Sequence, residues 1–157
     1  MWFGEILPER FFSLLASKNK ELYLSALLVI QKNYQQELLL KKSGVIALLI
    51  DHLEDKIWQM EGEDQEDPGS NLSARAHYLL RQLLAAGWLE REYQYQSLEE
   101  FLLLPEEAAV ILAGLQDLRE ARQYNSLVYS TYASLSTADR ERDDYMLEAL
   151  QQAYRST

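Results

Sequence analysis

The sequence predicts a mainly α-helical domain carrying a small β-hairpin, and three observations lead to that reading. Apolar residues recur at helical spacing through several long segments; the period changes to alternation just after Gly87; and Pro105 marks the restart of a helix. Residues 1–18 are aromatic-rich, with Trp2, Phe3, Phe11 and Phe12, and are expected to form an arm or short helix packed on the body. A helix follows from Asn19, an available cap, with Glu21 in its positive first turn and Leu22, Ala26, Leu27, Ile30 and Tyr34 on one side. A second helix is expected from a cap at Ser43, with Ile46, Leu49, Ile50, Leu53 and Ile57 inward. Between Glu61 and Asp67 stand five acids and no base, followed by Pro68-Gly-Ser, which reads as an exposed loop. A third helix spans about Asn71 to Ala86 and stops at Gly87.

Trp88 to Gln94 then alternates apolar or aromatic with polar residues, and Phe101-Leu-Leu-Leu supplies a second short run. The pair reads as a hairpin with a long turn. Pro105, Glu106 and Glu107 suit the start of the next helix, which turns Ala108, Ile111, Leu112, Leu115 and Leu118 to one face. A last helical region runs from about Tyr124, with a break expected near Ser136-Thr137. Three helices followed by a hairpin wing describe a winged-helix domain with additional C-terminal helices. The expected division is an arm at 1–18, the winged-helix domain at 19–123 and a helical extension at 124–157. No glycine or proline ends that extension, so the chain is expected to continue in a longer protein.

Composition bounds the chemistry. The 157 residues are 48% apolar and 25% charged, with no cysteine and a net charge of −10. A chain of this length buries roughly 70% of its unfolded surface, enough for a core without metals or disulfides. Disulfide scaffolds, zinc ribbons, iron–sulfur clusters and cysteine nucleophiles are excluded. No segment resembles a signal peptide or membrane span, so a soluble, cytoplasmic protein that does not engage membranes is expected.

A winged helix raises the question of DNA, for which Arg75 and Arg81 on the third helix are the candidate contacts. The acidic loop just before that helix opposes it, since half of the net negative charge lies there. No catalytic or cofactor-binding constellation is found, so no enzyme activity, cofactor or metal is expected. His52 and His77 fall in different helices, no Gly-x-Ser-x-Gly occurs, and the glycines are scattered. Surplus aromatic surface is the more informative feature. Ten tyrosines are present, and Tyr124, Tyr129, Tyr132, Tyr145 and Tyr154 fall in the last quarter. Tyr124, Val128, Tyr132 and Leu135 share a face, with Leu127 and Tyr129 directed elsewhere. Tyrosine suits interfaces because it joins an apolar body to a polar tip. Trp2, Phe3, Phe11, Phe12, Tyr93, Tyr95 and Tyr129 are the candidate protein-contact residues.

Four stretches carry a family resemblance: Phe3-Gly-Glu-Ile-Leu-Pro-Glu-Arg-Phe-Phe-Ser-Leu-Leu-Ala-Ser, Leu48-Leu-Ile-Asp-His-Leu-Glu-Asp, Ala86-Gly-Trp-Leu-Glu, and Tyr124-Asn-Ser-Leu-Val-Tyr-Ser-Thr-Tyr-Ala-Ser-Leu. In this order they resemble the N-terminal part of the JetA family, the kleisin-like subunits of bacterial Wadjet defence systems. The resemblance implies a condensin-like complex similar to MukBEF, with an SMC ATPase, a kleisin, a small winged-helix subunit and a nuclease acting against circular plasmids. By similarity to the MukF kleisin, it implies a homodimerising winged-helix domain that meets DNA only indirectly. It assigns no catalytic residue to this chain.

Overall fold

The computed structural model describes residues 3–37, 39–140 and 154–155. Helix α1 (Phe3–Ile6) leads to a 3-10 turn at Phe11–Ala16, then α2 (Lys20–Tyr34), β1 (Leu40–Lys41) and α3 (Lys42–Trp58). After the acidic loop come α4 (Leu72–Ala85), the hairpin strands β2 (Glu90–Tyr93) and β3 (Glu100–Leu103), and α5 (Glu106–Arg140). The chain is mainly helical with one antiparallel sheet of order β1-β3-β2. Glu90 pairs with Leu103 and Tyr93 with Glu100, while Leu40 and Lys41 pair with Leu102 and Phe101. Two compact units divide the chain, Met1–Leu112 and Ala113–Thr157, and the division falls within α5.

The helical periods place the core of the first unit. Leu22, Ala26, Leu27 and Ile30 of α2 are buried, as are Ile46, Leu49, Leu53 and Ile57 of α3, and Ala76, Leu79, Leu80 and Leu83 of α4. Leu102, Leu104, Ala108 and Leu112 close it. The N-terminal arm docks through Phe11, whose ring stacks on Trp88 with centroids 4.0 Å apart. The Trp88 indole N–H donates to the Phe11 carbonyl at 2.6 Å, which satisfies two buried polar groups at once. Gly87 makes this approach possible. Its φ of +84° suits glycine, and a Cβ there would stand 2.2 Å from Pro8 Cγ.

Several elements depart from the sequence reading. Helix α3 starts at Lys42 with Lys41 at the N-cap, two residues ahead of the cap expected at Ser43, because β1 runs straight into the helix. Strand β1 itself is too short to show a period. Its register is held from outside by ion pairs of Lys41 with Glu99 (3.3 Å) and Lys42 with Glu100 (3.1 Å). Helix α3 bends at Leu53, whose φ and ψ are −131° and 21°. Helix α5 passes through Ser136 and Thr137 without the expected break. Just upstream, Thr131 and Ser134 donate their hydroxyls to the carbonyls four residues back, so helical backbone tolerates the hydroxyl-rich run. Asn71, by contrast, caps α4 as its sequence position suggests, accepting from the Ala74 N–H at 2.8 Å.

Candidate functional site

Two polar features, the acidic loop read from the sequence as exposed and the candidate DNA contact Arg75, help to hold the fold. Glu63, in the acidic loop, accepts from three side chains at one carboxylate oxygen: the Ser17 hydroxyl, the Asn19 amide (2.9 Å) and the Tyr23 hydroxyl (3.1 Å). Asn19 is buried and also brackets Glu61, donating to its carbonyl at 2.7 Å and accepting from its N–H at 3.0 Å. It makes no side-chain cap for α2, the role its position suggested. From the other side the Glu63 N–H donates to the Tyr78 hydroxyl at 2.6 Å. The loop is therefore pinned between α2 and α4, while Glu61, Asp64, Glu66 and Asp67 remain exposed. Burial, and next the Glu63 carboxylate, push Tyr23 well above its ordinary pKa. Burial raises Tyr78 in the same direction.

Arg75 turns inward from its expected place on the DNA-facing side. Its Nη1 donates to the carbonyls of Ile57 and Trp58, both at 3.3 Å, and of Met60 at 3.0 Å. Those carbonyls lie at and just beyond the C-terminus of α3, where backbone donors run out, so the guanidinium serves as an added C-terminal cap delivered from α4. The cation also stands 5.6 Å from the Trp58 ring centroid. Arg81 remains exposed, 5.7 Å from the Tyr78 ring centroid. His52 and His77 each place Nδ1 near the carbonyl four residues back in their own helices, at 3.0 and 2.8 Å. No group of three His, Asp or Glu able to hold a metal occurs among the described residues. A groove of about 420 Å³ lies between the end of α2, β1 and the start of α3, and its lining includes Asn33, Glu37, Leu40, Val45 and Phe101. Among the residues that line it, no nucleophile is paired with a base.

The apolar candidates separate into buried and exposed. Phe11 is core, and Phe12 is exposed with its ring edge-on to Phe11 at 5.3 Å. Phe3 opens α1, and Trp2 lies outside the described residues, as does Tyr145. On the hairpin, Tyr93 is exposed and Tyr95 is 95% exposed, with Leu98 beside them in sequence at full exposure. On α5, Tyr124, Leu127, Val128, Tyr129, Tyr132 and Leu135 are all between 49% and 74% exposed.

Helical geometry organises that last set. Ala121, Tyr124, Val128, Thr131 and Leu135 follow at alternating spacings of three and four, which forms a continuous seam along a helix. Leu127 and Tyr132 flank the seam, so Leu127 belongs to this face, where the sequence reading had directed it elsewhere. The signal was present in the sequence as a run without charge from Gln123 to Ala138, in a chain where a quarter of residues are charged. The seam and its flanks form a contiguous exposed apolar surface. No helix among the described residues is long and apolar enough to cross a membrane.

Comparison with known proteins agrees with the sequence pattern. The family model described as Wadjet protein JetA matches residues 28–157. The Wadjet protein JetA of Bacillus cereus (strain Q1) is 28% identical over 148 residues, which covers 87% of this chain and 31% of that relative. The chain thus spans about a third of the length of the curated relative it matches. No solved structure matches the chain.

Proposed function

The chain belongs to the Wadjet JetA family, and from that premise we propose that it is a non-catalytic, dimerising scaffold segment of a Wadjet complex. The observation that carries the reading is the exposed apolar face of α5, where Tyr124, Leu127, Val128, Tyr132 and Leu135 stand in solvent. The first unit has its own core, and the exposed face of α5 is available for association. The order α2, β1, α3, α4, β2, β3 supports a winged helix, with the β2–β3 hairpin as its wing. In the kleisin-like reading, two such chains pair and hold together two motor units. ATP hydrolysis and plasmid cleavage belong to other subunits, and the SMC ATPase and the small winged-helix subunit are partners of the full-length protein. The site of action is the bacterial cytoplasm.

Direct DNA binding through α4 is the competing reading, and the geometry weakens it. Arg75 is committed to three carbonyls at and just after the end of α3, and Arg81 follows a loop rich in carboxylates. Light scattering on the 157-residue chain across micromolar concentrations tests the scaffold reading. It predicts a dimer, and a monomer at every concentration contradicts it. Salt-dependent binding to duplex DNA that Arg81→Glu abolishes would favour the competitor.

A further inference from the structure

The sheet has two edges, and they are finished differently. The β1 edge is two residues long and is flanked by the ion pairs of Lys41 with Glu99 and Lys42 with Glu100. Strand β2 forms the other edge. It pairs with β3 alone, over Glu90–Tyr93, so alternate residues aim their N–H and C=O groups outward, and all four side chains are exposed. We infer that the β2 edge docks a basic, extended segment of another protein, added to the three-stranded sheet as a further strand. Such docking needs no second copy of this chain.

Charge specifies the occupant. Residues two apart on a strand project to the same face, which places Glu90 and Glu92 together. Neither has an ion-pair partner among the described residues. Across the sheet they face Leu103 and Phe101 of β3, which offer no cation. Lys41 comes next in the row beyond Phe101, and Glu99 holds it at 3.3 Å. Carboxylates on an edge strand discourage pairing with neutral or acidic chains, and the net charge of −10 acts in the same direction. A strand with Lys or Arg at alternate positions brings the missing charge opposite both carboxylates, where cross-strand neighbours stand about 5 Å apart. The same acidity disfavours a nucleic acid there.

Apolar surface at both ends of β2 fits an extended segment rather than a lone cation. At the foot of the strand an open depression of about 510 Å³ is lined by Leu84, Ala85, Gly87, Leu89, Glu90 and Arg91. At the hairpin tip Tyr93 and Tyr95 are exposed, and Leu98 is fully so. The tip from Gln94 to Leu98 carries no charge, the reverse of what shields an edge strand from pairing. Four residues at roughly 3.4 Å each make a ladder of about 13 Å, so a segment of about six residues reaches from the depression to the tyrosines. The segment is therefore basic at alternate positions and aliphatic or aromatic at its ends.

A short synthetic peptide of alternating lysine and valine is the probe, titrated into the isotopically labelled 157-residue chain and followed by amide chemical shifts. Docking on the edge predicts shifts concentrated on residues 89–95. Binding is expected to weaken about tenfold or more in the Glu90→Lys/Glu92→Lys variant. It is expected to weaken as much with the same peptide N-methylated at every residue, which keeps its charge and loses its backbone donors. That arm leaves the protein untouched, so it does not depend on how the variant folds. Equal affinity for the methylated peptide would show charge attraction alone and overturn strand addition. Shifts centred on residues 61–67, or no shifts at millimolar peptide, overturn the site. Slowed hydrogen exchange of the β2 amides in the peptide-free chain, growing with its concentration, would place a second copy on the edge and overturn the basic segment as its occupant.

Discussion

Tyrosine has two fates in this molecule. In the first unit, Tyr23 and Tyr78 are fully enclosed, and each hydroxyl bonds to Glu63, one to its carboxylate and one to its backbone. On α5, Tyr124 and Tyr132 share a helical face just as regular and remain mostly in solvent. The local pattern is equivalent in the two regions. What differs is whether another element of the same chain covers the side chain. Regular apolar spacing therefore identifies a face that seeks a partner, and the tertiary structure decides whether that partner is internal.

If this contrast is sound, substitutions in the two regions act on different measurements. Trp88→Ala is expected to have the largest effect on stability, about 3–5 kcal/mol, because it removes a fully buried ring and the stack that anchors Phe11. The urea midpoint of unfolding reads this, and a loss below about 1 kcal/mol would show that the arm is not part of the core. Glu63→Ala follows, at about 1–3 kcal/mol, since Asn19 and Tyr23 lose their shared acceptor in a half-buried place. An unchanged midpoint would mean that the acidic loop is not pinned in solution.

A smaller, pH-dependent effect comes from Tyr23. Its ordinary pKa is 10.0, and burial followed by the Glu63 carboxylate raises it in the fold. Above about pH 10 the unfolded chain releases a proton that the folded chain keeps, so stability is full below that pH and falls as pH rises toward the folded value. Urea midpoints from pH 8 to 12 are expected to decline above 10, and Tyr23→Phe is expected to flatten that decline. The smallest effect on folding belongs to α5. Leu127→Glu is expected to shift the midpoint by no more than about 0.5 kcal/mol while lowering self-association.

The sequence made the long elements legible because each satisfies several physical requirements together. Asn71 is both a cap residue and the start of a period, and Gly87 combines a left-handed turn with the packing of Pro8. Trp88 begins the hairpin and fills the core. The features that escaped depend on contacts between residues far apart in the chain. Strand β1 has two residues and exists only because β3 lies beside it. Asn19 has the chemistry of a helix cap, yet the Glu61–Glu63 backbone and carboxylate compete for it across more than 40 positions. Arg75 has the sequence of a surface cation, and only the end of α3, folded against α4, draws it inward. The seam on α5 lay in plain view as an uncharged run, but its exposure depends on what fails to cover it.

Sedimentation equilibrium on the 157-residue chain, beside the Val128→Glu/Leu135→Glu variant, tests the central claim most directly. The account predicts a concentration-dependent dimer for the natural sequence and a monomer for the variant, with the burial of Trp88 unchanged in its fluorescence. A natural sequence that stays monomeric at every concentration would contradict it.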